Sequence, residues 1–110
     1  MEKEEIEKVI IDYMHQETGF GPKLRDHCEF EELHINDLTT QKDGIVIIEF
    51  RYDFDADGFS QYDKTILFSG RVKIFPDKTI EEIHLYIIHQ GVASHGPRSK
   101  RKFEFREDLF

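Results

Sequence analysis

Three aspartates at alternate positions, Asp53, Asp55 and Asp57, run into Gly58 and give this chain its clearest capacity for chemistry. Hard cations such as Ca²⁺ gather roughly six to eight oxygen ligands, and Asp at alternate positions before a glycine opens an EF-hand loop. Counted from Asp53, the loop reaches Gln61 at its ninth position and Lys64 at its twelfth, where a bidentate glutamate belongs. Asp63 comes one place early. The pattern therefore describes a divalent-cation site of Asp53, Asp55, Asp57 and Asp63 that departs from an EF-hand. Against it stands the plainer reading of an acidic turn, because Asp and Gly are common turn residues. Ca²⁺ is the one cofactor the residues suggest.

A second set, Arg51, Arg71, His84 and Tyr86, could hold a small anion or move protons if the fold brought it to one face. No nucleophile–base pair accompanies it, so the expectation leans toward binding and away from catalysis. His27 and Cys28 are adjacent and would point to opposite sides of a strand, which does not suit one metal ion.

The elements that must position these residues are legible in the hydrophobic period. Ile6, Val9, Ile10, Tyr13 and Met14 form one helical stripe over residues 3–18, and Gly19 is placed to end it. Glu4 and Lys8 are spaced as an i, i+4 pair. Four strands are expected near residues 27–36, 44–54, 64–75 and 80–89, with turn chemistry between them. Matching the apolar faces pairs Phe54 with Ile66, Tyr52 with Phe68 and Ile48 with Val72, which sets Glu49 across from Arg71. A four-residue turn at residues 76–79 would then pair Val72 with Ile83 and Lys73 with Glu82. On the outer face Glu49, Arg71 and His84 form one row, extended by His34, and Arg51, Ser69 and Tyr86 form the next. Leu33, Ile35, Leu85 and Ile87 complete the inner face, where Gly70 would make room for a helix residue such as Tyr13. Ile45, Ile47, Phe75 and Ile80 at one end of the outer face, and Leu67 and Ile88 at the other, need cover from Phe103, Phe105 or a second subunit.

The expected fold is thus α+β, one N-terminal helix packed on a four- to five-stranded antiparallel meander. Residues 1–96 would form the domain and 97–110 an arm or fifth strand. This layout resembles the cystatin-like arrangement of a helix wrapped by a meander. That resemblance covers shape alone: Gln90-Gly91-Val92-Ala93-Ser94 lacks the final glycine of the cystatin inhibitory loop and follows the fourth strand.

Composition bounds the partners. A chain of 110 residues with ten Phe can build one core. Residues 1–96 carry ten Lys/Arg against twenty Asp/Glu, which disfavours nucleic acid. Residues 97–110 carry five against three, a short basic run. One cysteine, no apolar run of membrane length and an acidic N-terminus fit a cytoplasmic protein without a membrane partner. The functional expectation is a small binding or assembly module, self-associating through the outer sheet face or the C-terminal arm. The alternative is a small enzyme or anion carrier using the outer face.

Overall fold

The computed structural model describes residues 1–21 and 29–110. Helix α1 spans Lys3–Thr18 and ends at Gly19, whose φ of 78° lets its N–H turn back to the His15 carbonyl. Ile6, Ile10, Met14 and Thr18 lie on its buried side. Lys8 pairs with Asp12 at 3.6 Å, not with Glu4.

Five strands follow in sheet order: β1 (Phe30–Thr40), β2 (Val46–Asp55), β3 (Thr65–Ile74), β4 (Ile80–Gln90) and β5 (Glu104–Phe105). The first four form an antiparallel meander, and β5 lies parallel to β4. The α+β layout expected from the sequence is the one observed. The arm is part of the sheet, and a short 3₁₀ turn (Glu107–Leu109) ends the chain.

Strands β2 and β3 pair in the expected register, Phe54 with Ile66, Tyr52 with Phe68, Ile48 with Val72 and Glu49 with Arg71. Two long alternating apolar runs exclude any odd slip, which would send every side chain to the wrong face. Strand β4 departs from expectation at both ends. Its centre pairs as foreseen, Arg71 with His84 and Ser69 with Tyr86, but Val72 pairs with Glu82 and Lys73 with Glu81. The cause is a tighter turn. Phe75 and Thr79 close a three-residue loop in which Lys78 takes a φ of 70°, and a bulge at Ile83 absorbs the extra residue. Ile83 is consequently 46% exposed, while Ile80 turns inward against the core instead of lying on the outer face.

The core fills the space between α1 and the inner sheet face, where Phe50, Tyr52, Phe68, Val72 and Ile74 are fully buried. Gly70 faces Phe50 across the β2–β3 ladder, and an added Cβ would run into that ring. The bulky neighbour is therefore its strand partner, not Tyr13. Phe103 also joins the core, edge-on to Phe68 at 5.2 Å, and does not cover the outer face. Phe110 stacks on His89, the ladder partner of Leu67, and Ile88 and Leu67 are 3% and 7% exposed. Phe105 stays about half exposed.

The basic run at 98–102 clasps the helix end. Arg98 and Ser99 donate backbone hydrogen bonds to the Thr18 carbonyl, and the Ser99 hydroxyl donates to the Glu17 carbonyl at 2.6 Å. These bonds satisfy carbonyls that a helix C-terminus leaves open.

Candidate functional site

The four aspartates of the β2–β3 loop do not converge. Asp55 accepts the Asp57 N–H and Asp57 accepts the Phe59 N–H, each closing a local turn. Lys64 lies 3.7 Å from Asp57. Asp63 accepts the Thr65 N–H and hydroxyl and approaches His89 at 3.2 Å, bonds that hold its carboxyl below the usual range. Asp53 lies on the outer face of β2, two residues from Asp55 on the same strand.

There it meets a group that only the β1 register creates. Glu32 pairs directly with Asp53, and His34 with Arg51. The His34 Nε2 lies 3.4 Å from Glu32 Oε1 and 3.8 Å from Asp53 Oδ2. Arg51 donates from Nε to the other Asp53 oxygen, Oδ1, at 3.1 Å. Among the described residues, Glu32, His34 and Asp53 are the group whose donor atoms all lie within 4.8 Å of one another. A cleft of about 370 Å³ that includes Asp55, Thr65 and Leu67 in its lining opens beside Glu32 and Asp53. Of this group the sequence pattern singles out Asp53; Glu32 carries no mark in it, and His34 lies in the Arg51 row instead of the expected Glu49 row. The signal lay in β1, whose Glu32 and His34 share a face once Leu33 is turned inward. His27 and Cys28 lie outside the described residues.

Most of the other outer-face residues are engaged within the chain, but the buried His84 Nδ1 has no hydrogen-bond partner among the described residues. Arg71 lies 3.9 Å from Glu49. The His84 and Tyr86 rings stack at 4.7 Å, and Arg106 lies over Tyr86 at 5.2 Å. Arg51 also lies 5.7 Å from the Phe110 ring centre. Arg51 and Tyr86 flank Ser69 in one row, and Arg71 and His84 are neighbours in the next, as expected.

On the helix side, two carboxylates tie α1 to the sheet. The bulge at Ile83 turns Glu82 toward α1, where it accepts the Tyr13 hydroxyl and both terminal nitrogens of Arg101, at 2.8 and 2.7 Å. Arg101 also pairs with Glu17. Burial raises the Glu82 pKa, but the hydrogen bonds from Arg101 and Tyr13 outweigh it and hold the carboxyl below its ordinary value. Tyr13 is pushed well above the usual phenol range by burial and by its bond to Glu82. The second link is Glu31, which accepts the Tyr52 hydroxyl at 2.6 Å and lies 2.7 Å from His15 Nε2. Burial and that same bond raise the Tyr52 pKa strongly. Neither cluster was foreseen, because each needs the exact pairing of distant elements.

Beside Tyr13, a groove of about 580 Å³ runs between α1 and the β3–β4 turn. Val9, Tyr13 and Ile80 give it an apolar wall, with Gln16 and Thr79 in the lining. Its rim charges are already paired, Lys8 with Asp12 and Lys78 with Glu5 at 3.7 Å.

No family model matches the chain, and no curated protein or solved structure proves similar to it. Among the described residues no helix is long and apolar enough to cross a membrane.

Proposed function

We propose that this protein is a small binding module that takes its ligand in the groove between α1 and the β3–β4 turn. One observation carries the reading: the groove's 580 Å³ falls within the roughly 300–1,000 Å³ of small-molecule sites, and its wall is set in advance. The Tyr13 hydroxyl donates to Glu82, which Arg101 in turn holds in place. The ligand chemistry that fits is an apolar body with a polar head. The body would lie on Val9, Tyr13 and Ile80, and the head would bond to Gln16 or Thr79. Since the rim lysines have internal partners, a strongly charged ligand gains little there.

The alternative, an enzyme or anion carrier on the outer face, draws less support. Arg51 and Arg71 are ion-paired within the chain and Tyr86 lies under Arg106, so a bound anion would have to displace those contacts, although the buried His84 Nδ1 has no hydrogen-bond partner among the described residues. Self-association draws on the exposure of Ile83 and Phe105, 46% and 48%, near the free side of the sheet. Ca²⁺ binding by Asp55, Asp57 and Asp63 draws less support, because each carboxylate closes its own local turn and the three do not converge.

The test is an amide-resolved NMR titration with neutral aromatic alcohols and amides as probes. Shifts should gather at residues 5–16 and 78–80 and vanish in Val9→Lys. Shifts scattered over the outer face, or unchanged binding in Val9→Lys, would overturn the groove reading.

A further inference from the structure

We propose that Glu32, His34 and Asp53 form a site for a divalent transition-metal ion of the Zn²⁺ class, on the outer face of β1 and β2. Three independent features carry it. The first is spacing. Metal–ligand bonds of about 2.0–2.2 Å place neighbouring donors about 2.8–3.6 Å apart in octahedral or tetrahedral geometry. His34 Nε2 sits 3.4 Å from one Glu32 oxygen, within that range, and 3.8 Å from one Asp53 oxygen, a few tenths of an ångström beyond it.

The second feature is the pairing itself. Glu32 and Asp53 are direct cross-strand partners, and like charges facing each other destabilise a sheet. A cation between them removes that repulsion. Lys64, the lysine of the adjoining loop, is turned to Asp57 instead.

The third is orientation. Arg51 holds Asp53 through Oδ1, which leaves Oδ2 directed at His34. A fixed outer partner of this kind is how metal ligands are commonly oriented. The ladder supplies the rest, since residues two apart on β1 share a face and His34 stands beside Glu32 with no loop to order.

The donor set selects the metal. One imidazole and two carboxylates suit Zn²⁺, Co²⁺ or Mn²⁺, whereas Ca²⁺ and Mg²⁺ prefer oxygen alone. Three protein ligands leave at least one position for water, on the side where the cleft opens. The site is separate from the groove, and either can fail without the other.

The experiment is calorimetric titration of the full chain with Zn²⁺, with Ca²⁺ and Mg²⁺ as controls. Zn²⁺ should bind one site, and His34→Gln, Glu32→Gln and Asp53→Asn should each weaken it by at least about tenfold. Asp55→Asn/Asp57→Asn should leave it unchanged. Circular dichroism establishes that each variant is folded, and cobalt absorption gives a second readout of the same site. Equal Zn²⁺ affinity in His34→Gln, no Zn²⁺ binding at millimolar concentration, or Ca²⁺ binding as tightly as Zn²⁺ would overturn the proposal.

Discussion

Glu31 and Glu32 are neighbours on β1 with the same chemistry and opposite circumstances. Glu31 faces α1, where a phenol and an imidazole engage one of its oxygens. Glu32 faces solvent, where its partners are an aspartate across the ladder and His34 beside it. The contrast extends along the sheet: Glu82 on the helix side is held by Tyr13 and Arg101, while Asp53 on the outer side keeps an oxygen directed at His34. Carboxylates between the layers are thus consumed in holding the helix to the sheet, whereas Glu32 and Asp53 on the outer side meet His34, Arg51 and each other.

Removing the clasp should break this contrast most severely. Deleting residues 98–110 takes Arg101 from Glu82 and Glu17 and Phe103 from the core. The expected loss is roughly 4–6 kcal/mol, comparable to the whole stability of a small domain. Urea titration would show a broad or absent transition. A truncated chain as stable as the parent would mean the arm is not integral.

Glu82→Ala should come next, at about 2–3 kcal/mol, because it leaves the Tyr13 hydroxyl without its acceptor and Arg101 with Glu17 alone. Denaturant midpoints measure this. Tyr52→Phe should cost about 1–2 kcal/mol, since Glu31 retains His15.

The pH profile sharpens the same point. Tyr13 and Tyr52 have pKa values raised in the folded state, so their contribution is complete below about pH 10, the unfolded phenol value. It shrinks as pH rises further, because the unfolded chain releases protons that the folded one keeps. Glu82, lowered in the folded state, contributes above the ordinary carboxylate range and loses that contribution as pH falls through its folded value. Thermal melts of Tyr13→Phe/Tyr52→Phe should show a flatter alkaline limb than the parent.

The helix, the α+β layout and the β2–β3 register were legible because each rests on a long, unbroken period. Strand β4 was legible only at its centre. Its Ile83, Leu85 and Ile87 alternate, and Ile88 breaks that phase, which marks the bulge beside Leu67. The bulge at Ile83 left less trace, since it follows from a three-residue loop with Lys78 in the left-handed region, a conformation that lysine does not advertise. That bulge exchanges Ile83 for Glu82 on the helix side and brings Ile80 inward, so the Tyr13 cluster and the groove wall were both hidden. The Asp53 site was half legible. Its aspartate stood out in sequence, but Glu32 and His34 join it only through the β1 register, which the sequence left open.

The smallest effect belongs to Glu32→Ala, which should change stability by no more than about 0.5 kcal/mol in metal-free buffer. A larger loss would place Glu32 with Glu31 as a structural carboxylate.

The most direct test of the division between inner and outer carboxylates follows the histidine ring nitrogens by NMR while Zn²⁺ is added. His15 and His34 both lie against glutamate, at 2.7 and 3.4 Å, on opposite sides of the sheet. The ring signals of His34 should shift or exchange at substoichiometric Zn²⁺ while those of His15 stay in place. Equal response of both rings, or of His15 before His34, would contradict the account.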